Sequence, residues 1–241
     1  EKILLSTKVI NIESENDTLI VHFENKTHEK FSEIFDTILI SVGRQPNTSK
    51  IGIENTGILL DEKGFIIVDE KLRTNVSHIY AIGDVVGNPM LAHKATHEGK
   101  IAAEVICNLP SVFKPALIPA VIFTDPEIAW AGPTENELIN AGIKYEKGEF
   151  PWNASGKALA IKKPEGKTKL IFDKKTKKII SAGIVGTNAG DLIGEAILAI
   201  EMGATIEDIS LSIHPHPTLT ETIGNAAEML SGTITDLYAP K

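Results

Sequence analysis

The chain has 241 residues, a formal net charge of −8 and 42% hydrophobic residues. This composition is ordinary for a globular protein and excludes a disordered chain, and the length is enough for one large domain or two smaller ones. The acidic balance argues against nucleic acid as a partner, because no basic stripe is available to neutralise phosphates. The single cysteine, Cys107, excludes a disulfide framework and a cysteine-based zinc site within one chain, so no metal site is expected.

The sequence carries no sign of a membrane segment or a targeting leader. No apolar run approaches the roughly 18 residues that a membrane helix needs, which predicts a soluble protein with no membrane partner. The chain opens on a strand-like run without an initiator Met or a basic-then-apolar leader. We therefore expect it to begin partway through a larger protein.

The first 46 residues have the pattern of a sheet. Residues 3–10 and 18–24 alternate apolar and polar side chains on either side of an Asn-Asp turn, which predicts two strands. Residues 35–42 form a continuous apolar run ending in Gly43, and such a run is typical of a strand buried on both faces.

The next stretch combines short strands with one helix. Residues 57–68 have strand-like pieces broken by a polar turn, and residues 74–84 are predicted to form a strand ending in Gly-Asp. Residues 93–106 carry apolar side chains at helical spacing. A proline-rich change in composition over residues 108–119 predicts a domain boundary.

Beyond that boundary, strands and helices predict an α+β domain. A helix begins at Thr134, which has Glu137 in capping-box spacing, and ends at Gly142. Amphipathic helices are predicted over residues 191–202 and about 218–230. Strands are predicted over residues 120–123, 158–162, 167–172 and 178–186, with a turn at 173–177 joining the last two.

A first functional signal is the run Ile-Tyr-Ala-Ile-Gly-Asp over residues 79–84. Gly83 would let the backbone approach a ligand closely, and the Asp84 carboxylate can accept hydrogen bonds from a polyol. The alternative is a strand-to-loop turn whose aspartate caps the next segment. These six residues alone do not decide between the two interpretations.

The most specific signal is the segment His-Pro-His-Pro-Thr-Leu-Thr-Glu over residues 214–221. Dithiol chemistry needs a base, because the thiolate is the nucleophile and a free thiol titrates near ~8.5. An unperturbed imidazole has a pKa of about 6.5 and can take that proton when a carboxylate orients it. His216 and Glu221 are the residues that could fill these two roles. The alternative is a capping box, Thr218 to Glu221, beside a chance pair of histidines.

Together with Thr74 upstream, these motifs resemble the flavoprotein disulfide reductases, and within them the dihydrolipoyl dehydrogenase branch. The resemblance implies an FAD site in which Asp84 holds the ribityl chain. It also implies that the helix start directs its backbone N–H groups and positive dipole end towards the flavin. The run that would lie against the flavin is Met90, Leu91, Ala92 and His93.

The resemblance implies an NAD site and a catalytic pair as well. Gly43 would lie near both cofactors, and Val9 would line the NAD adenosine site, its alternative being a buried strand residue. His216 would be the catalytic base, with Glu221 orienting and stabilising its charged form. His214 has no base role in the family, and we expect from it a hydrogen bond that supports the fold or the neighbouring catalytic residues.

The resemblance also implies partners and a location. The substrate would be the dihydrolipoamide of lipoyl domains in 2-oxo acid dehydrogenase complexes. The base would be delivered to the flavin site of the other subunit, so a homodimer is implied. The apolar faces of the 191–202 helix and of the final helix would form either the dimer contact or domain core. We expect the bacterial cytoplasm rather than the mitochondrial matrix.

The resemblance covers the chain but only the carboxyl-terminal half of the family's protein. The expected fold is α+β with α/β parts: residues 1–46 end a Rossmann-like NAD domain, 47–114 form a second FAD segment, and 115–241 form a dimerisation domain with an antiparallel sheet. The sequence has no Gly-x-Gly-x-x-Gly and no Cys-x4-Cys, and Cys107 is predicted to be a buried, inert thiol.

Because these parts are missing, the chain alone should be inactive and bind FAD weakly or not at all. Two alternatives remain open at this point. The complete protein could be another reductase of the same fold, such as a glutathione-reductase-like enzyme. The chain could also be a stand-alone dimerisation module.

Overall fold

The computed structural model describes residues 2–238, and the chain divides into two compact units between Pro46 and Asn47. The first unit contains a three-stranded antiparallel sheet in the order β1-β2-β3. Its strands are β1 (Lys8–Glu15), β2 (Thr18–Glu24) and β3 (Lys30–Phe35).

The predicted first strand over residues 3–10 is wrong in position, because β1 begins only at Lys8. Asn16 and Asp17 adopt positive φ angles of 48° and 62° and close a two-residue turn. Such a turn fixes the register of the strands on either side, so β1 consists of the residues directly before it. Ser6, with a φ of 52°, interrupts the chain ahead of β1.

The strand predicted over residues 35–42 is also wrong. The last strand of this unit ends at Phe35, and Leu39 and Val42 are 90% and 93% exposed. A strand buried on both faces needs a neighbouring strand on each side and covering layers above and below. The described residues of this unit supply none of these for the segment after Phe35.

The second unit contains the remaining helices and strands. Three short 3-10 turns also occur in this unit, at Ile53–Asn55, Gly83–Val86 and Trp152–Ala154. Its strands are β4 (Ala120–Ile122), β5 (Glu127–Ala131), β6 (Tyr145–Pro151), β7 (Lys167–Asp173) and β8 (Ile179–Gly186). Its helices are α1 (Ala92–Ile106), α2 (Glu135–Asn140), α3 (Gly156–Ala160), α4 (Ala189–Met202), α5 (Ile206–Ser210) and α6 (Glu221–Ser231).

A five-stranded antiparallel sheet in the order β4-β5-β8-β7-β6 forms the centre of this unit. Helix α4 packs against β5 and β8, and α6 packs against β6 and β7. Alternation along each strand turns apolar side chains towards the helices, and each fully buried one stabilises the fold by about 1.5–3 kcal/mol. The largest buried side chains of this core include Phe150, Phe172, Leu170 and Ile184 on the strands and Trp152 in the adjoining 3-10 turn.

Several predicted elements are confirmed. Helix α1 lies within one residue of its prediction, and the turn joining β7 to β8 lies where residues 173–177 predicted it. The capping box of Thr134 and Glu137 is formed in both directions at the start of α2. Gly203 ends α4 with a φ of 65°.

Other predictions are corrected by the structure. Residues 158–162 are not a strand, because the short apolar run belongs to α3. Residues 74–84 form no strand, only an isolated bridge from Arg73 to Tyr80 before the 3-10 turn. The last helix begins at Glu221 rather than residue 218. Cys107 is exposed rather than buried, because it follows the last turn of α1.

The apolar face of α4 belongs largely to the core of this chain. Leu192, Ile193 and Ala196 are 8%, 3% and 0% exposed, and Ile197 and Ile200 pack beside them. This face therefore forms domain core, which was the alternative to a dimer contact. Among residues 2–238, no helix is both long and apolar enough to span a membrane.

Candidate active site

His216 and Glu221 are in direct contact. The Nδ1 atom of His216 lies 2.8 Å from Oε1 of Glu221. The imidazole side chain is 76% exposed, whereas the carboxylate is 23% exposed. The ring is therefore open to a molecule from outside, while the group that orients it is held in the fold.

The loop between α5 and α6 brings this pair together. The hydroxyl of Thr218 donates to the Pro215 carbonyl at 2.7 Å, which closes a turn around His216. The backbone N–H of Thr218 donates to Oε2 of Glu221 at 2.7 Å. Glu221 itself is the first residue of α6, so the helix fixes its backbone.

The arrangement leaves His216 suited to accept a proton. A carboxylate only accepts hydrogen bonds, so Nδ1 of His216 carries the hydrogen that it donates to Glu221. In the neutral ring, Nε2 then keeps a free lone pair. No hydrogen bond from the described residues occupies Nε2, which lies on the exposed ring. The pair can therefore take a proton at Nε2 and hold the resulting charge next to the Glu221 carboxylate.

The predicted capping role of Glu221 is present together with the orienting role. One carboxylate oxygen accepts from the Thr218 backbone and the other accepts from His216. The box is only half formed, because the Thr218 hydroxyl bonds to Pro215 instead of the helix backbone. The two interpretations left open by the sequence are therefore compatible.

His214 anchors the same loop to helices α4 and α6. Its Nε2 lies 2.6 Å from Oε1 of Glu195 on α4, and its Nδ1 lies 3.0 Å from the Ser212 carbonyl. A Cβ on Gly224 of α6 would be 3.0 Å from the His214 ring, so the ring lies directly against that helix. The expected structural hydrogen bond of His214 is confirmed, with Glu195 as a partner that the sequence did not indicate.

The Gly-Asp signal lies in a second part of the unit. Gly83 is buried with a φ of 77°, and a Cβ at this position would be 3.3 Å from the Cβ of Ala95. Asp84 is exposed in the 3-10 turn that follows. The glycine thus allows the loop to lie close to α1, and the aspartate faces outward where it can meet a ligand.

The run over residues 90–93 lies at the start of α1. Leu91 is the N-cap residue, and no side chain caps this helix end within the described chain. The first backbone N–H groups of α1 are therefore available to an oxygen-rich or anionic group. Nε2 of His93 is already engaged, 2.8 Å from the Pro119 carbonyl. The loop and helix end together fit one part of a flavin nucleotide site.

Val9 and Gly43 lie in the first unit. Val9 is 55% exposed on β1, next to an irregularity in the pairing with β2, so it is not the buried strand residue of the alternative interpretation. Gly43 has a φ of 126° with no atom within 4 Å of a Cβ built on it. Neither position touches a group that reveals a role.

A buried ion pair near the Gly-Asp loop was not predicted from the sequence. Nζ of Lys94 lies 2.7 Å from Oε1 of Glu98, and the two side chains are 6% and 2% exposed. Their spacing of four residues on a helix with an apolar face is the sequence pattern from which such a pair could have been predicted. In residues 2–238, no group of three or more His, Cys, Asp and Glu side chains is arranged to hold a metal ion.

Two family models match this chain. One, described as pyridine nucleotide-disulphide oxidoreductase, matches residues 2–99. The other, described as the dimerisation domain of the same enzymes, matches residues 118–227 and so includes the His216 loop. The chain belongs to the pyridine nucleotide-disulphide oxidoreductases, which are flavoprotein disulfide reductases.

The chain is also similar to curated proteins that share one name. A dihydrolipoyl dehydrogenase of Vibrio parahaemolyticus is 52% identical over 98% of this chain, which covers 50% of the relative. Relatives of the same name from Haemophilus influenzae and from Buchnera aphidicola of Schizaphis graminum are 50% and 53% identical over 98% of this chain. The chain thus spans about half the length of the curated relatives it matches.

Solved structures have the same fold. LpdA of Mycobacterium tuberculosis has a TM-score of 0.82 at 24% identity, covering 92% of this chain and 48% of that one. The flavoprotein disulfide reductase RclA of Escherichia coli has a TM-score of 0.81 at 24% identity, covering 93% and 50%. At this identity, the likeness supports the fold of this pyridine nucleotide-disulphide oxidoreductase and nothing finer.

Proposed function

We propose that this chain is part of a dihydrolipoyl dehydrogenase, which oxidises dihydrolipoamide and reduces NAD⁺ to NADH. The observation that carries the proposal is the exposed His216 ring bonded to Glu221. The sequence identity of 50–52% to proteins named dihydrolipoyl dehydrogenase supports the proposal.

In this proposal, His216 handles the protons of the thiol substrate. Nε2 accepts the proton of a dihydrolipoamide thiol, and the resulting thiolate attacks one sulfur of a redox disulfide elsewhere in the complete protein. This breaks the disulfide, forms a mixed disulfide and releases the other sulfur as a thiolate. The second dihydrolipoamide thiol then attacks the mixed disulfide, which releases lipoamide and leaves the redox pair reduced. Glu221 keeps the proton of the neutral ring on Nδ1 and stabilises the imidazolium once Nε2 is protonated. For each dihydrolipoamide, two electrons pass to NAD⁺, and one of the two thiol protons is released.

FAD and NAD are the proposed cofactors. Asp84 would bind the ribityl chain, and residues 90–93 at the start of α1 would lie against the flavin. Val9 would line the NAD adenosine site, and Gly43 would lie near both cofactors. When bound, FAD supplies the two-electron transfer between a dithiol and NAD⁺ that side chains cannot perform. Since both glycine-rich pyrophosphate cradles are missing from the sequence, this chain alone should bind FAD weakly or not at all.

The proposed domain roles follow from the same assignment. Residues 1–46 would end the NAD domain, 47–114 would form the second FAD segment, and 115–241 would form the dimerisation domain. In a two-fold homodimer, the His216 loop would serve the flavin site of the other copy. The proposed substrate carriers are the lipoyl domains of 2-oxo acid dehydrogenase complexes, and the proposed location is the cytoplasm of a bacterium.

An assay of the full-length protein tests this proposal. Reduction of NAD⁺ by dihydrolipoamide should be rapid in the unmodified protein and fall by about 10²–10⁴-fold in His216→Gln, because a general base is lost. His78→Gln is the matched control and should keep full activity, because His78 is exposed and lies outside the 214–221 segment. Reduction of glutathione disulfide in place of lipoamide turnover would instead identify a glutathione-reductase-like enzyme.

A further inference from the structure

The side chains of Lys94 and Glu98 form an ion pair inside the second unit, beneath the 3-10 turn that carries Asp84. The pair is almost completely removed from water, with side-chain exposures of 6% and 2%. Burying two charges carries a large desolvation penalty, which their mutual attraction only partly offsets. Breaking such a pair is destabilising, but replacing both partners with apolar groups is often neutral. Fold stability alone therefore does not account for the pair.

Helix stability does not account for it either. Lys94 lies in the first turn of α1, where a positive charge opposes the helix dipole. The order of the pair, Lys before Glu at a spacing of four residues, is the less favourable one on a helix. Both features would weaken an isolated helix, so the explanation must lie in what the pair touches outside α1.

The contacts outside α1 go to the backbone of one loop. Oε2 of Glu98 accepts a hydrogen bond of 2.7 Å from the backbone N–H of Gly83. Nζ of Lys94 lies 3.5 Å from the carbonyl oxygen of Gly87, at the other end of the turn. The backbone N–H of Ile66 holds the middle, donating to the Val85 carbonyl at 2.8 Å. The turn is thus fixed at its start, middle and end.

We propose that the Lys94–Glu98 pair positions the Gly83–Asp84 turn for FAD, with Glu98 as the principal positioning residue. The inference rests on the proposed FAD site. Glu98 acts through the Gly83 N–H and does not touch the cofactor itself. Lys94 bonds to Oε1 of Glu98 and offsets the negative charge in this buried place, while Oε2 accepts from the Gly83 N–H.

Two double variants of the full-length protein separate positioning from fold stability. Lys94→Met with Glu98→Gln removes both charges but keeps an oxygen acceptor for the Gly83 N–H. Lys94→Met with Glu98→Leu removes the charges and the acceptor. We expect both apoproteins to fold, because neither leaves an unpaired buried charge. The Leu variant should unfold at a somewhat lower temperature, because the buried N–H of Gly83 loses its acceptor. FAD binding is therefore compared well below both unfolding temperatures.

FAD affinity should distinguish the two variants. An FAD titration of the apoproteins followed by flavin fluorescence should give a Kd near that of the unmodified protein for the Gln variant. The Leu variant should bind about tenfold more weakly, because the turn loses one buried hydrogen bond and spends less time in the binding conformation. Hydrogen exchange at residues 82–87 of the apoprotein should also be faster in the Leu variant.

Each other outcome has a definite meaning. Equal Kd values for the Leu variant and the unmodified protein, or equal losses in both double variants, would overturn the positioning role while leaving the FAD site in place. An unmodified protein that binds no FAD would overturn the proposed function and this inference together. If the double variants do not fold, Glu98→Asp provides the test. It keeps the charge but withdraws the carboxylate from Gly83, and an unchanged Kd would contradict the proposal.

Discussion

Glu221 uses its two carboxylate oxygens for two different tasks. Oε1 holds the His216 ring, and Oε2 holds the backbone of the Thr218 turn that carries the ring. Orientation of the imidazole and the shape of the loop therefore depend on one side chain. The first residue of α6 is a suitable place for a carboxylate, because the helix dipole favours negative charge there.

Replacing Glu221 with Gln should reduce activity less than replacing His216. The amide can still accept a hydrogen bond from Nδ1, but it no longer stabilises the imidazolium with a full charge. We expect a fall of about 10–100-fold in kcat for dihydrolipoamide oxidation, since a charge-assisted hydrogen bond becomes a neutral one. Steady-state kinetics of the full-length protein provide the measurement.

Glu207→Gln is the matched control, because Glu207 is exposed on the neighbouring helix α5. Its kcat should equal that of the unmodified protein. A Glu221→Gln variant with full activity would show that the carboxylate only caps the turn and does not assist His216.

The residues of the catalytic pair could be predicted from the sequence, whereas their supports could not. His216 and Glu221 lie in one short loop, so their spacing alone brings them within reach. Glu195, which bonds to His214, is 19 residues away along the chain and meets it only through the packing of α4. Contacts of this kind depend on tertiary structure and leave no local pattern.

At the level of elements, the close contact of β6 with α6 determines where Glu221 lies. Gly148 of β6 faces α6, and a Cβ at this position would lie 1.8 Å from the carbonyl oxygen of Ala226. Only a glycine permits this approach, since the obstacle is helix backbone and cannot rotate away. The position of α6, and with it the start of the helix at Glu221, thus depends on a missing side chain in β6.

Gly148→Ala should therefore destabilise the protein and disturb the site. Accommodating the methyl group requires α6 to move, and overpacking of this kind costs about 1–3 kcal/mol of the free energy of unfolding. Urea denaturation of the variant and the unmodified protein gives this difference directly.

Gly183→Ala is the control from the same sheet. Gly183 lies on β8, and no atom lies within 4 Å of a Cβ at this position. Its free energy of unfolding should change by no more than about 1 kcal/mol, and in the stabilising direction. Equal stability of the two alanine variants would show that α6 does not require the glycine in β6.

A cluster of charges lies where α2 meets β6 and β7. Oε1 of Glu135 lies 2.7 Å from Nζ of Lys169, and Oε2 lies 2.8 Å from the Tyr145 hydroxyl. The hydrogen bond from Lys169, followed by that from Tyr145 and a further one from Lys147, lowers the pKa of the Glu135 carboxyl to about 2. The ionised carboxylate of Glu135 is therefore stabilised in the folded protein relative to the unfolded chain.

This lowered pKa predicts a loss of stability in acid. The contribution of Glu135 is complete above its unfolded pKa of 4.5 and is lost as the pH falls from 4.5 towards 2. With 25% of the side chain exposed, solvent reduces the contribution to about 1–2 kcal/mol. Between pH 5 and pH 2.5, the free energy of unfolding should fall less in Glu135→Gln than in the unmodified protein.

Glu62→Gln, on an exposed turn, is the control for the acid titration and should follow the unmodified protein. Chemical denaturation at each pH provides the values. If Glu135→Gln lost stability as steeply as the unmodified protein, the carboxylate would contribute nothing to the fold.

The elements that the sequence predicted are those with strong local signals. Helix α2 has a capping box, and α4 has both an apolar face and a terminal glycine. Strands β5 and β6 were not predicted, because β6 carries charged residues outward and a glycine inward, so its apolar alternation is weak. The short apolar run in α3 was predicted as a strand, because length and periodicity do not distinguish the two structures over five residues.

At the scale of the whole molecule, some of the exposed apolar residues of the second unit lie in the His216 loop and on helix α4, to which the loop is bonded. The face of α4 that was considered for a dimer contact is buried, but other large apolar side chains are not. Leu211 and Ile213, in the first part of the loop, are 72% and 99% exposed, and Leu198 and Met202 on α4 are 63% and 77% exposed. Isolated side chains of this size are common on surfaces, but several near one loop favour a contact with another chain.

Proton transfer from thiols at the flavin site of one copy to the His216–Glu221 pair of the other is the core of the proposed function. It is tested most directly by mixing two inactive full-length chains. One carries His216→Gln with its redox cysteines intact, and the other has serine in place of these cysteines with His216 intact. The two chains are unfolded together and refolded, and dihydrolipoamide oxidation is measured.

If His216 serves the partner copy, random pairing gives heterodimers in half of the molecules, each with one of two sites complete. The mixture should then recover about a quarter of the unmodified activity. Each chain refolded alone should stay inactive. If the mixture contains heterodimers but is no more active than the separate chains, His216 does not serve the partner copy.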